Sequence, residues 1–222
     1  MAERIAMVKF FDKTRKVSGK VSVQKQIVTT FLILLLGFGL GVFAKFLDGV
    51  PSNKLPLFLE WLDITNFFGR FAVWEFVAVA VAVFSKSPLK AGINVFSFFI
   101  GMLFGYYLYC RIFAGFYPDA SYLVMWLVYT VISPFLAFVC WYARGRGAVA
   151  IGISAVLIAI FCNMAFTLNP QDFHVTYWLE FVLWLASIGI LYRDVKQTGL
   201  SFLISIPVAL ALEYTGLLGF LY

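Results

Sequence analysis

Seven apolar runs, at 27–47, 67–84, 91–113, 122–142, 148–168, 176–192 and 200–221, constrain this chain more than any other feature. A helix rises ~1.5 Å per residue, so about 17–25 residues cross a hydrocarbon core roughly 30 Å thick. Each run reaches that length. The chain is 63% hydrophobic and 13% charged, whereas soluble domains lie near 45–50% and about 25%. The expected fold is therefore all-α, a polytopic transmembrane helical bundle of seven spans. The run at 176–192 is the shortest and contains Glu180, so six spans plus a re-entrant piece is the competing count.

Charge placement orients the bundle. Seven of the seventeen Lys and Arg residues precede Gln26: Arg4, Lys9, Lys13, Arg15, Lys16, Lys20 and Lys25. They define a basic N-terminal segment, 1–26, followed by a transmembrane domain, 27–222. Lys86, Lys90, Arg144, Arg146, Arg193 and Lys196 lie in alternate connections. With the N-terminus in the cytoplasm, thirteen of the seventeen bases are inside, as the positive-inside rule requires, and the C-terminus is outside. Residues 2–17 suit either a short helix in the headgroup layer or a disordered tail. The segment is expected to touch anionic lipids. Its bases flank an apolar span, which argues against nucleic acid as the partner. The run at 27–47 reads as an uncleaved anchor, with Val42-Phe43-Ala44 as a tolerable cleavage pattern if it is removed. Residues 55–62 suit a short interfacial helix carrying Trp61.

The run at 67–84 carries Arg70 and Glu75. A charge at hydrocarbon depth costs roughly 2.5–3.5 kcal/mol on the insertion scale, so Glu75 needs a partner, water or a proton. At helical spacing it shares a face with Ala72, Ala78 and Ala82, which turns it toward other helices. Similar small-residue stripes run through Gly37, Gly41, Ala44 and Asp48; through Asn94, Ser97, Gly101 and Gly105; and from Ala148 through Gly152, Ala155, Ala159 and Asn163 to Thr167. Shorter ones join Thr176, Glu180 and Ser187, and Ala209, Glu213 and Gly216. The bland reading of these stripes is close packing alone.

The topology puts Glu75, Glu180 and Glu213 in the outer half of their spans, with Arg70, Arg111 and Lys45, and with Asn163, Tyr106 and Tyr107 at similar depth. Together they make a candidate acidic pocket open to the outside, in which Glu75 and Glu213 face each other. For Lys45, Arg111 and Glu180 the competing reading is snorkelling at helix ends. The chain has no Gly-x-Ser-x-Gly, His-Glu-x-x-His or Walker pattern, and it has one His. The expectation is thus not an enzyme, with no cofactor and no metal.

Lys86-Ser-Pro-Leu-Lys-Ala-Gly, Gly101-Met-Leu-Phe-Gly-Tyr-Tyr-Leu and Gly39-Leu-Gly-Val-Phe-Ala-Lys-Phe-Leu-Asp resemble an uncharacterised family of bacterial multi-pass membrane proteins. The resemblance covers roughly the first half of the chain, implies a bacterial inner-membrane location and carries no activity. In outline the chain is also similar to the substrate-binding components of energy-coupling vitamin transporters. Seven spans with an external C-terminus depart from their usual six. The function expected is transport, or capture for transport, of a small cationic or protonatable solute or an ion. The alternative is a non-transporting membrane-assembly or envelope-stress protein that docks partners through residues 1–26.

Overall fold

Five helices of the computed structural model, which describes residues 14–217 except 18, 20–21, 52–53 and 170, are long and apolar enough to cross a membrane. They are α1 (Val23–Asp48), α5 (Pro88–Tyr109, continued by a π-turn at Cys110–Ala114), α6 (Ala120–Cys140, continued by a 3-10 turn at Trp141–Arg144), α7 (Ala148–Ala165) and α9 (Val195–Thr215). Two shorter apolar helices, α4 (Phe71–Phe84) and α8 (Trp178–Leu191), have 14 residues each. At ~1.5 Å per residue such a helix covers only about 21 Å. Helices α2 (Leu57–Trp61) and α3 (Ile64–Phe67) lead into α4. A hairpin of β1 (Phe166–Asn169) and β2 (Asp172–Val175) leads into α8.

Local sequence sets these boundaries. Ser87 caps α5 by accepting from the Lys90 N–H at 3.1 Å, and Pro88 occupies the first helical turn, where its missing N–H does no harm. Asp194 caps α9 through the Gln197 N–H at 2.9 Å. Expected helix at 166–168 is instead strand. Phe166 pairs with Val175 and Thr167 with His174 across the turn after Asn169, an arrangement that suits aromatic and β-branched residues. The helix expected near residues 55–62 is present as α2, with Leu57, Phe58 and Trp61 exposed.

Packing separates a centre from a rim. In the most apolar stretch of each helix, 61% of α5 and 56% of α7 is buried, against 17% of α1, 22% of α6 and 17% of α9. Helix α4 is central too: Phe71, Ala72, Val73, Trp74, Ala78, Val79, Ala82 and Val83 are all buried. The rim helices turn large apolar side chains outward, among them Leu35 and Leu36, Val131 and Phe135, and Leu203 and Ile206. That inversion of a soluble surface is what a lipid-facing helix shows.

The closest approach is between α1 and α5. A methyl group built on Gly37 would lie 2.0 Å from the Phe98 carbonyl oxygen, and one on Gly41 2.1 Å from that of Met102. Reciprocally, a methyl on Gly101 would lie 2.1 Å from the Leu34 oxygen, and one on Gly105 2.2 Å from that of Phe38. Two Gly-x-x-x-Gly faces thus interlock, backbone against backbone. Near the start of α1 a polar tie adds to this contact. Thr30 donates to the Asn94 side chain at 2.8 Å, and Asn94 in turn donates to Ser85 Oγ at 3.0 Å.

Candidate functional site

Beside the hairpin, Arg70 caps the start of α4 with extended backbone. Its Nε donates to Glu180 Oε1, its Nη1 donates to Asp63 Oδ2 at 2.7 Å, and its guanidinium lies 4.0 Å above the Tyr177 ring. Glu180 is 2% exposed in the first turn of α8, where the helix dipole favours negative charge. The ion pair therefore clamps the entrance of α4 to the entrance of α8. Arg70 Nη2 and Glu180 Oε2 are buried without a hydrogen-bond partner among the described residues.

A second cluster sits at the same end. Lys45, 7% exposed, reaches Asp48 Oδ2 at 3.1 Å. The Tyr106 hydroxyl donates to the same oxygen at 3.1 Å, and Lys45 Nζ lies 5.2 Å from the Tyr106 ring centroid. Lys45 is thus paired inside the bundle rather than snorkelling. Tyr107 faces a cavity of about 10 Å³ among Ala44, Phe68 and Trp126, and its hydroxyl has no hydrogen-bond partner among the described residues.

Glu75 stands apart from both clusters. It is half-buried on the face of α4 that also carries Ala78 and Ala82, and it accepts a hydrogen bond from the Tyr129 hydroxyl of α6. Among the described residues it makes no ion pair. Beside it lies a cavity of about 20 Å³, bounded by Phe99, Tyr129, Ser133 and Cys140. That is room for about one water molecule. The carboxylate meets one neutral hydroxyl and a water-sized space.

The single acidic pocket expected from helical periodicity is absent from the described residues. Glu213 is exposed in the last turns of α9, which packs mainly on α7, and it does not meet Glu75. Glu180 is committed to Arg70. Arg111 is exposed on the π-turn. Asn163 is buried, with Nδ2 donating to the Ala159 and Ala209 carbonyls at 3.0 and 3.1 Å. It holds α7 to α9. Periodicity shows which residues share a face, but not which helix that face meets.

Three partners lay outside the sequence reading: Tyr129 for Glu75, and Asp63 and Tyr177 for Arg70. Asp63 has one local signal, an acid seven residues before Arg70; in the fold it adopts φ 53° just before α3. Tyr129 has a weaker one, since Trp126, Thr130 and Ser133 give α6 a buried face beside it.

Of the N-terminal segment, residues 1–13 lie outside the described ones, and Arg15, Lys16 and Val17 are not helical. Arg15 packs against the end of the bundle. It donates to the Trp141 carbonyl and, at 2.9 Å, to the Val83 carbonyl, and it lies 4.2 Å above the Trp141 ring. Both carbonyls belong to helix ends, where the last turn leaves acceptors unpaired and a cation is favoured. Burial first, then the neighbouring Arg144 and Arg193, bring the Arg15 guanidinium down to about 10, still charged at neutral pH.

The chain belongs to DUF6518, a family of unknown function whose model matches residues 20–219. No curated protein and no solved structure matches it.

Proposed function

Membership of a family without a function leaves the residues to carry the reading, and we propose that this is a seven-span membrane protein that moves a proton or a small cationic or protonatable solute through Glu75. The location we propose is a bacterial inner membrane. Helices α4 and α8 complete the seven spans, extended toward one surface by α3 and the hairpin. Hydrogen bonds support the alternation. Gln197 donates to the Gly145 carbonyl at 3.1 Å, and Arg146 donates through its N–H to the Thr14 carbonyl at 2.7 Å. These bonds gather the connections rich in bases at one end, which we assign to the cytoplasm. A C-terminal alkaline phosphatase fusion should therefore be active and a fluorescent protein there dark. The opposite pattern would remove the seven-span, N-inside arrangement.

The observation that carries the transport reading is the pairing of Glu75 with a neutral hydroxyl alone. A carboxylate between packed apolar helices is expensive unless a cation or proton accompanies it. Tyr129 and a water-sized cavity supply an exchange partner and a place for the travelling species. The pocket of three glutamates thus reduces to one. In proteoliposomes under an imposed pH gradient, the wild type should move protons, Glu75→Gln should lose at least about tenfold of that rate, and Tyr129→Phe less, since it removes one hydrogen bond of about 1 kcal/mol. Flux through Glu75→Gln equal to wild type would end this reading.

The alternative, a partner-docking assembly protein, draws support from a different feature. An apolar recess of about 440 Å³ opens beneath the hairpin, lined by Cys162, Phe166, Phe173, Trp184, Phe202 and Ile206. It has the character of a site covered by lipid or by another helix.

A further inference from the structure

At the end of the bundle opposite the hairpin, three separate connections are tied to one another. The Thr14 carbonyl accepts from the Arg146 N–H at 2.7 Å, and Gln197 bridges to Gly145 O at 3.1 Å and to the Gly147 N–H at 3.4 Å. Trp141 Nε1 donates to the Ser85 carbonyl at 2.8 Å, drawing in the turn between α4 and α5. This convergence lays Arg15 over Trp141, in the turn that also carries Arg144, and ties that turn to the connection that carries Arg193. Arg15 is held by the Trp141 and Val83 carbonyls, and Arg144 lies 4.6 Å above the Phe84 ring.

None of the three makes an ion pair among the described residues. The nearest acid in sequence, Asp194, spends its side chain on capping α9. Lys16, Lys86, Arg146 and Lys196 occupy the same connections and are exposed. Like charges brought to one end of the bundle repel one another, and the fold holds Arg15 and Arg144 there with neutral carbonyls and rings, while Arg193 is exposed beside them. A ligand carrying concentrated negative charge relieves that repulsion. Guanidinium groups match the paired oxygens of phosphate better than any other side chain.

We infer that the junction of Arg15, Arg144 and Arg193 binds a phosphate group, presented by an anionic phospholipid headgroup or by a soluble phosphate. The inference does not depend on the role of Glu75. It also differs from a diffuse attraction of the N-terminal arm to the membrane surface, because the site exists only where three connections meet.

The test uses the full-length protein in a neutral detergent, with melting temperature read against added phosphatidylglycerol, phosphatidylcholine or inorganic phosphate. Phosphatidylglycerol should raise the melting temperature saturably and phosphatidylcholine should not. In the double variant Arg144→Gln/Arg193→Gln, the apparent affinity should fall about 30-fold, from roughly 1 kcal/mol per base. Lys54→Gln, at the other end of the bundle, should leave it unchanged. A saturable rise with inorganic phosphate but not with phosphatidylglycerol assigns the site to a soluble phosphate and upholds it. If the double variant does not fold, the exposed Arg193→Gln alone should lose about fivefold. No stabilisation by either phosphate, or equal stabilisation of wild type and variants, overturns the proposal.

Discussion

Replacing Gly101 by alanine should destabilise the protein by about 1–3 kcal/mol, the range of forced overpacking, and Gly101→Val by more. The new methyl would sit 2.1 Å from the Leu34 carbonyl oxygen. That neighbour is rigid helix backbone and not the end of a flexible side chain. The helices must separate along a contact that Gly37, Gly41 and Gly105 share, so all four close approaches are lost together. Gly39→Ala supplies the comparison within α1, because a methyl there meets nothing within 4 Å. It should be neutral or slightly stabilising, since alanine favours helix over glycine by about 1 kcal/mol. Thermal unfolding in detergent separates the two variants. Equal melting temperatures for Gly101→Ala and Gly39→Ala would mean that α1 and α5 do not pack through this face.

Glu180→Leu is expected to be the most damaging single change to the polar framework, at roughly 3–5 kcal/mol, because it strands the partner of a buried ion pair. Arg70 would keep only Asp63, which is partly solvated, and the face of Tyr177. The double variant Arg70→Met/Glu180→Leu should recover most of the loss, since apolar side chains of similar volume replace a desolvated pair at little net cost. Asp63, with a side chain 37% exposed, tolerates release into solvent. A double variant no more stable than Glu180→Leu alone would show that Arg70 acts on the fold independently of Glu180.

These two sites show what periodicity can and cannot reveal. Gly37 with Gly41, and Gly101 with Gly105, are legible because close packing demands small residues at every fourth position of a helix. Arg70 and Glu180 are each conspicuous as charges in apolar runs. Their pairing is not legible, since 110 residues separate them and each stripe of small residues could have met any other. The same ambiguity misplaces Glu213, whose stripe is buried at Ala209 but ends in exposed turns. On α7, Gly152 is likewise exposed while Ala155, Ala159 and Asn163 are buried, so an unbroken stripe is buried only where a neighbouring helix covers it. Phe166 to Leu168 continue an apolar run into a strand, because hydropathy alone does not distinguish the end of a helix from the start of a hairpin. Arg15 is the reverse case. Its composition reads as a membrane-surface charge, whereas its position at two helix ends makes it a cap.

Exchange of a proton or cation at Glu75 within the bundle can be read by mapping a lipid-soluble carbodiimide onto the purified protein. Such reagents attack carboxyl groups that hold a proton in apolar surroundings. One dominant adduct is expected, on Glu75, absent in Glu75→Gln and suppressed by the transported cation or solute. None is expected on Glu180, whose Oε1 is engaged by Arg70 Nε, and none on the exposed Glu213. Modification confined to Glu180 or Glu213, with Glu75 untouched, would rule out exchange at Glu75.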